Sequence, residues 1–254
     1  SDLMFPVSGS PTAVTGSITG PGREGCSVVS DEAGNLLCYS NGVQVWDRTE
    51  AAMPNGTLSY GQVSATQGAL FIPAPGSAQQ IYLFTVDAVE NNLNNGLRYS
   101  ILDMSLRNGL GDIGATKEVA VPTPSNVKLT EKLTAVRHAN GYDFWIVVHA
   151  YGSNLFFSYL LTASGLSTTP VTSSLGRVHS GGGGSNGNGN AVGYMRASPN
   201  GQRLAVAIRE VGLDVFDFNT STGAVSNYQP VNMSADYYYG AEFSPDGSKL
   251  YTSD

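Results

Sequence analysis

The sequence predicts an all-β protein, a β-propeller of four-stranded antiparallel blades that resemble WD repeats. The main observation is a repeated phrase: Ser-Pro-Asn-Gly at 198–201 returns as Ser-Pro-Asp-Gly at 244–247, each time between two apolar runs. A period of about 40–50 residues around a tight hairpin is typical of propeller blades. Composition agrees, because 31 Gly, 12 Pro and only 13% charged residues indicate many turns and a largely uncharged surface.

Each predicted unit has the same order of short strands and tight turns. The first three strands of the first unit are expected at residues 26–30, 36–40 and 43–47, and those of the second at 68–73, 81–86 and 99–104. The third unit follows at 133–138, 144–149 and 155–162, the fourth at 194–197, 204–208 and 213–218, and a fifth begins at 241–243. Glycine suits the positive φ of such turns, and the expected turn glycines are Gly34, Gly76, Gly141, Gly201 and Gly247.

The second strands of two units are apolar on both faces, at residues 81–84 and 144–148. A continuous apolar run indicates a strand that is buried on both sides of its sheet. Inner strands of a propeller blade lie between neighbouring blades, so this pattern is expected of them. The third strands alternate more regularly between apolar and polar residues, as in residues 213–218.

We divide the chain into residues 1–22, an extended lead-in or ring-closing strand, and residues 23–254, the propeller. The propeller part contains about four blades and the start of a fifth, so the ring is expected to be incomplete in this chain. We therefore expect the native protein to continue beyond residue 254, or another surface to cover the open blade. The glycine-rich insertion at 180–190 is expected to be a mobile loop within the domain.

Charge and hydropathy exclude two kinds of partner. The net charge is −7, and the 13 Lys and Arg residues are scattered. A nucleic-acid partner requires a basic surface, so none is expected. No apolar stretch approaches the roughly 20 residues that span a bilayer, so we expect no membrane insertion.

The two cysteines, Cys26 and Cys38, flank the turn at 31–35 and so lie on the two arms of one predicted hairpin. One interpretation is a cross-strand disulfide formed in an oxidising compartment. The other is a pair of buried free thiols that pack as small apolar groups.

Several runs together resemble large secreted proteins of the Bacteroidetes, in which an N-terminal β-propeller precedes repeat domains and a gliding-motility-associated sorting domain. The runs are GREGCSVVSDEAGNLLCYSNGVQVWDRTEAAMPNG, SATQGALFIPAPGS, YSILDMSLRNGLGDI, EKLTAVRHANGYDFWIVVH, VGYMRASPNGQRLAVA and GAEFSPDGSKLYTSD. The resemblance covers residues 23–254. It implies export through the type IX secretion system and a location outside the cell, either secreted or at the cell surface.

The resemblance carries no catalytic motif onto this chain. The main functional expectation is therefore a non-catalytic binding or adhesion module, not an enzyme. Its expected partner is a carbohydrate or a cell-surface protein, with the type IX machinery as a further partner during export. The alternative is a propeller enzyme, either lactonase-like or a glycan-cleaving hydrolase.

The residue types that carry chemistry are few. Tyr237, Tyr238 and Tyr239 form an aromatic cluster that either stacks on a ligand or packs between blades. His138 and His149, at the ends of neighbouring predicted strands, are candidates for a metal site or for polar strand ends.

Other patterns are weaker. Residues 183–187 match G-x-S-x-G, the pattern of serine hydrolases, but no helix is expected after them. Asp47, Asp103 and Asp217 recur at the ends of strands, where a structural role is expected and bound calcium is the alternative. No catalytic residue and no other cofactor is expected.

Overall fold

The computed structural model describes residues 24–231 and 237–253, together with the backbone of 2–4 and 12–14. In the N-terminal segment, β1 (Asp2–Met4) pairs antiparallel with β2 (Thr12–Val14). The rest of residues 1–22, predicted as a lead-in or ring-closing strand, lies outside the described residues. Among the described residues, no helical segment has the length and hydropathy needed to cross a lipid bilayer.

The first and second sheets are antiparallel and run outward in chain order. The first sheet contains β3 (Ser27–Ser30), β4 (Leu36–Ser40), β5 (Gln44–Asp47) and β6 (Ala52–Thr57). The second contains β7 (Leu70–Pro73), β8 (Gln80–Val86), β9 (Leu97–Asp103) and β10 (Asp112–Ile113), and β11 (Val119–Ala120) also pairs with β9.

The remaining three sheets repeat this order. The third contains β12 (Leu129–Arg137), β13 (Phe144–Ala150), β14 (Leu155–Thr162) and β15 (Gly165–Leu166), and β16 (Val171–Ser174) also pairs with β14. The fourth contains β17 (Met195–Ala197), β18 (Arg203–Ile208), β19 (Gly212–Phe218) and β20 (Val225–Val231). The fifth contains β21 (Gly240–Phe243) and β22 (Leu250–Ser253).

Short 3₁₀ segments occupy some of the connections. They lie at Val89–Asn91, Leu106–Gly109, Pro124–Asn126, Ser185–Gly187 and Gly189–Ala191. The chain is thus an all-β protein built from consecutive antiparallel sheets, each of the first four containing a four-stranded path, and its fold is a β-propeller.

The hydrophobic cores lie between consecutive sheets. In β8, Ile81 and Leu83 pack toward the first sheet, whereas Tyr82 and Phe84 pack toward the third. Because side chains alternate along a strand, a strand held between two sheets must be apolar at every position. The same alternation occurs in β13 and β18, so the second, third and fourth sheets each share one core with the sheet before and another with the sheet after. The two-sided apolar strands predicted from the sequence are confirmed.

The repeated Ser-Pro-Asx-Gly phrase forms the same turn in both places. The Ser198 hydroxyl donates to Asn200 Oδ1 at 2.8 Å and accepts from the Arg203 backbone N–H at 3.0 Å. In the second copy, the Ser244 hydroxyl donates to Asp246 Oδ1 at 2.6 Å and accepts from the Lys249 N–H at 2.9 Å. The glycine in each copy has a positive φ, as do the other three predicted turn glycines. The turn therefore satisfies its own polar groups in both blades.

Candidate functional site

A cavity of about 370 Å³ lies where the segments before the first strands of the sheets meet the loops after the second strands. Its lining comes from elements far apart in the sequence: Glu24 precedes β3, Glu90 follows β8, Glu131 lies in β12, Arg209 follows β18 and Tyr239 precedes β21. All five sheets thus contribute to one site at one end of the inner strands.

Glu131 forms the fully buried floor of the cavity. Its Oε2 accepts hydrogen bonds from the Thr66 N–H at 2.8 Å and the Thr66 hydroxyl at 2.6 Å, and its Oε1 accepts from the Val89 N–H at 2.8 Å. Burial raises the pKa of this carboxyl, and the three hydrogen bonds oppose that rise. Glu131 therefore ties β12 to the loops of the second sheet.

An irregularity in β12 creates this position. Leu129 lies opposite Ala150 and Leu133 lies opposite Val148, so three residues of β12 face a single residue of β13. Such bulges redirect side chains and often occur beside functional sites. Here the bulge turns Glu131 toward the cavity floor.

Lys132, the next residue of the bulge, is also fully buried. Its ammonium group donates to the carbonyl oxygens of Ala191 and Val192, both at 2.9 Å. Burial lowers the pKa of Lys132 to about 7, and the neighbouring Glu131 charge partly opposes that shift. Its charge therefore lies behind the cavity wall that Val192 forms.

His149 and His179 stack face to face beside Lys132, with ring centroids 3.7 Å apart. His149 Nδ1 lies 2.8 Å from the Ala150 carbonyl oxygen, so this nitrogen carries the proton. Burial lowers the pKa of His149 to about 3 and that of His179 well below its ordinary value. Both rings are therefore neutral and form part of the packing between elements.

His138 and His149, the candidates for a metal site or for polar strand ends, lie far apart along the β12–β13 ladder. Arg137 pairs with Phe144 at one end of the β12–β13 ladder, whereas His149 lies at the other end. His138 is half-buried at its strand end, where its Nδ1 accepts from the Asn140 N–H at 3.0 Å. Within residues 24–231 and 237–253, no group of three or more His, Cys, Asp or Glu side chains could hold a metal ion.

Glu90 forms one wall of the cavity. The hydroxyl groups of Ser64 and Ser185 both donate to its Oε1, at 3.2 and 3.3 Å. No hydrogen bond from the described residues reaches Oε2. The carboxylate is exposed, so Oε2 is available to a molecule in the cavity.

Ser185 comes from the glycine-rich insertion, and the expectation that this segment is a mobile loop is wrong. The segment forms two short 3₁₀ turns held by neighbours. Asn186 Nδ2 donates to the Val89 carbonyl at 2.9 Å, the Tyr151 hydroxyl donates to Asn188 Oδ1 at 2.6 Å, and the Gly183 N–H donates to Glu210 Oε2 at 2.7 Å. Hydrogen bonds to other loops thus offset the conformational entropy that the glycines lose when this segment folds.

The G-x-S-x-G match at 183–187 forms no nucleophile elbow. Ser185 lies on a 3₁₀ turn and its hydroxyl donates to Glu90, a carboxylate, with no histidine bonded to it. The pattern is a coincidence of the glycine-rich composition.

The three predicted binding tyrosines divide between the cavity and the core. Tyr237 and Tyr239 line the cavity, whereas Tyr238 is buried in the core shared by the fourth and fifth sheets. The Tyr239 hydroxyl donates to Glu24 Oε2 at 2.8 Å, and burial together with Glu24 raises the pKa of Tyr239. The Arg209 guanidinium lies over the Tyr237 ring, 5.6 Å from its centroid. A role of these tyrosines in binding stays a prediction.

Cys26 and Cys38 are both free thiols. Cys38 lies opposite Val29, three positions from Cys26, because the regular register of the hairpin pairs Ser27 with Ser40. The structure therefore has no cross-strand disulfide between these two residues. The other interpretation, two buried free thiols, is correct for Cys38, whereas Cys26 is free but exposed.

The strand-end aspartates have structural partners. Asp47 accepts from the Thr49 N–H and hydroxyl and pairs with Arg107 at 2.9 Å. Asp103 accepts in the same way from the N–H and hydroxyl of Ser105. Asp217 Oδ2 accepts from Asn227 Nδ2 at 2.8 Å. Calcium at such loops, and the absence of other cofactors, stay predictions.

Sequence reasoning missed the main residues of the cavity, which are Glu24, Glu90, Glu131 and Arg209. One feature of the sequence could have pointed to the cavity. Glu131 and Lys132 are adjacent charges just before a predicted inner strand, where burial between blades makes a charge costly. The other residues lie in loops and carry no local pattern.

No protein-family model matches the sequence, and a search of the curated proteins found no similar sequence. Solved structures show similarity at low identity. A predicted 6-phosphogluconolactonase of Bacteroides fragilis is 12% identical, with 89% of this chain and 61% of that chain covered and a TM-score of 0.49. The periplasmic gluconolactonase of Pseudomonas aeruginosa is 16% identical, with 89% and 55% covered and a TM-score of 0.45.

The β-propeller domain of Cps50 from Myceliophteria thermophila is 10% identical, with 89% of this chain and 65% of that chain covered and a TM-score of 0.49. The chain thus spans less than two thirds of the length of each of these three structures. At these identities the similarity concerns the fold alone.

The comparisons contradict the main functional expectation. Three of the similar structures are named as lactonases, which are enzymes. The prediction of a non-catalytic module, and with it the prediction that the chain is not an enzyme, is corrected accordingly. Export by the type IX system, a location at the cell surface and a carbohydrate partner were not tested and stay predictions.

Proposed function

We propose that the cavity is the active site of a hydrolase that opens the ester ring of a sugar lactone. The observation that carries the proposal is the presence of an available carboxylate, Glu90, and of a guanidinium, Arg209, that has no ion-pair partner among the described residues, in the lining of one open cavity. Two lactonases occur by name among the three structures described above. The argument for this chain rests on its own residues.

Glu90 has the properties of a general base. The two serine hydroxyls hold Oε1, which fixes the carboxylate plane and leaves Oε2 free to accept a proton from water. A positioned general base contributes roughly 10²- to 10⁴-fold to the rate of such a step.

Arg209 has the properties of an oxyanion stabiliser. Among the described residues it forms no ion pair, and its guanidinium is held against Tyr237. A cation that is fixed near the developing negative charge stabilises the transition state without further reorganisation.

The step balances with these two groups. The water oxygen forms a bond to the lactone carbonyl carbon while Glu90 takes the water proton, and the carbonyl oxygen becomes negative beside Arg209. The ring C–O bond then breaks, and the departing ring oxygen takes the proton from Glu90. The product is a hydroxy acid, and the carboxylate is regenerated.

The cavity has the size and lining for one sugar ring. A volume of about 370 Å³ lies in the range of small-molecule sites. Tyr237 and Tyr239 supply aromatic surface, and Glu24 supplies a carboxylate that can accept from sugar hydroxyls. Cleavage of a glycosidic bond requires a second carboxyl group that donates a proton to the leaving oxygen. The other two carboxyl groups of the cavity act as acceptors here: Glu131 accepts from Thr66 and Val89, and Glu24 accepts from Tyr239. Lactone opening requires only the base and the cation, so we favour it.

The test is the hydrolysis of D-glucono-1,5-lactone by the full chain in a pH-stat, corrected for spontaneous opening. We expect turnover above background and a loss of about 10²-fold or more in kcat/KM for Glu90→Gln. Glu32→Gln, at an exposed turn outside the cavity, is the matched control and should keep full activity. The absence of turnover by the unaltered chain, or an unchanged rate for Glu90→Gln, would overturn the proposal.

A further inference from the structure

We infer that the cavity takes an uncharged lactone and rejects its phosphorylated counterpart. The inference rests on the proposed function and names the substrate class of the same site. It rests on the charges of the residues that line the cavity. It also rests on the neighbouring glycine-rich loop, whose backbone N–H groups already donate to side chains of the protein.

The lining is negatively charged. Glu24 and Glu90 face a single guanidinium, Arg209, and the Glu131 carboxylate lies beneath them. Among the described residues no second arginine and no lysine lines the cavity. A phosphate group with about two negative charges would therefore be repelled by more carboxylates than there are cations to bind it.

Lys132 cannot bind a phosphate group in the cavity directly. Its ammonium group is fully buried and donates to the carbonyl oxygens of Ala191 and Val192. Because the cavity surface there is formed by Val192, the ammonium cannot form a direct hydrogen bond with a ligand.

The glycine-rich loop could have supplied backbone N–H groups for a phosphate, as such loops do elsewhere. Here a carboxylate of the protein already occupies it. The Gly183 N–H donates to Glu210 Oε2 at 2.7 Å, and the Gly181 N–H donates to the Tyr151 hydroxyl at 3.0 Å. Glu210 thus adds another negative charge at the place where an anion would bind.

The experiment compares D-glucono-1,5-lactone with its 6-phosphate, which differ only in the phosphate group. We expect kcat/KM for the neutral lactone to exceed that for the 6-phosphate by about tenfold or more, because carboxylates beside a negatively charged phosphate weaken its binding. Glu210→Gln should lower the ratio of kcat/KM for the neutral lactone to kcat/KM for the 6-phosphate, because it removes one repelling charge. The amide oxygen that it introduces can still accept from the Gly183 N–H. Glu32→Gln is the control and should leave the ratio unchanged.

A second measurement separates this inference from the proposed function. Binding of D-glucono-1,5-lactam and of its 6-phosphate, measured by calorimetry, needs no turnover. Equal or faster hydrolysis of the phosphorylated lactone would overturn the inference and leave the proposed function standing. Preferential binding of the neutral lactam without any hydrolysis would overturn the catalytic proposal and leave charge selection standing. No binding and no hydrolysis would overturn both.

Discussion

The Glu131 carboxylate accepts two hydrogen bonds from Thr66 through one oxygen, at 2.8 Å from the backbone N–H and at 2.6 Å from the hydroxyl. The two residues are 65 positions apart, so a buried side chain joins the inner strand of the third sheet to the loop before the second. The floor of the cavity is therefore also a connection between blades.

We expect Glu131→Gln to destabilise the protein by about 2–3 kcal/mol. An amide has one acceptor oxygen and one donor nitrogen, so its NH₂ group would face an N–H donor and leave it unsatisfied. Urea denaturation followed by tryptophan fluorescence measures the change. Glu32→Gln, in an exposed turn, should change stability by less than about 0.5 kcal/mol. Equal stabilities of the two variants would contradict the structural role of Glu131.

Because Lys132 is buried, we expect the folding stability of the protein to depend on pH in a specific way. Its pKa is about 7 in the folded protein and near the ordinary lysine value in the unfolded chain. Between these values the unfolded chain binds a proton that the folded protein does not bind, so folding stability rises with pH. Relative to Lys132→Met, the unaltered protein should gain up to about 1.4 kcal/mol per pH unit from pH 7 to 9.

The control for this prediction is Lys128→Met, because Lys128 is exposed. Urea midpoints at pH 7, 8 and 9 give the difference directly. Parallel pH profiles for Lys132→Met and the unaltered protein would show that Lys132 is charged and solvated in the folded state.

Gly61 approaches the first-sheet turn too closely for a side chain. A Cβ at this position would overlap the Gly42 carbonyl oxygen, which is backbone and cannot rotate away. We expect Gly61→Ala to lower the free energy of unfolding by about 2 kcal/mol or more. Gly114→Ala is the matched control, because its Cβ would meet no atom closer than the Ile101 carbonyl oxygen at 3.6 Å. Thermal unfolding of both variants tests the contact, and equal melting temperatures would refute it.

The two thiols should differ in reactivity. Burial raises the pKa of Cys38 to about 12, so almost no thiolate is present at neutral pH, whereas Cys26 is exposed. We expect a thiol reagent to label one cysteine in the native protein and two after denaturation without reductant. Cys26→Ser should abolish the fast label. Labelling of neither cysteine before reduction would reveal a disulfide and contradict the register of the first hairpin.

The sequence predicted the blades well because their signal is local. The strand expected at residues 36–40 is β4, and the one expected at 155–162 is β14, with the same bounds. Alternation, two-sided burial and turn glycines all act within a few residues, so each can be read from a short window.

The cavity could not be predicted in the same way. The Tyr239 hydroxyl and Glu24 meet across 215 positions of sequence, and both lie in loops without periodicity. The ordered glycine-rich segment depends on partners such as Glu210 and Tyr151, which its own composition does not reveal. The bulge that positions Glu131 depends on the pairing of β12 with β13.

The turn shared by Ser198 and Ser244 bears on how such a chain could have arisen. Its hydrogen bonds close within six residues, from the serine to the backbone N–H of Arg203 or Lys249. A duplicated stretch of gene that includes this turn would carry a turn whose polar groups are already satisfied. The copies could then diverge in their loops while the connection between the first two strands of each blade stays the same.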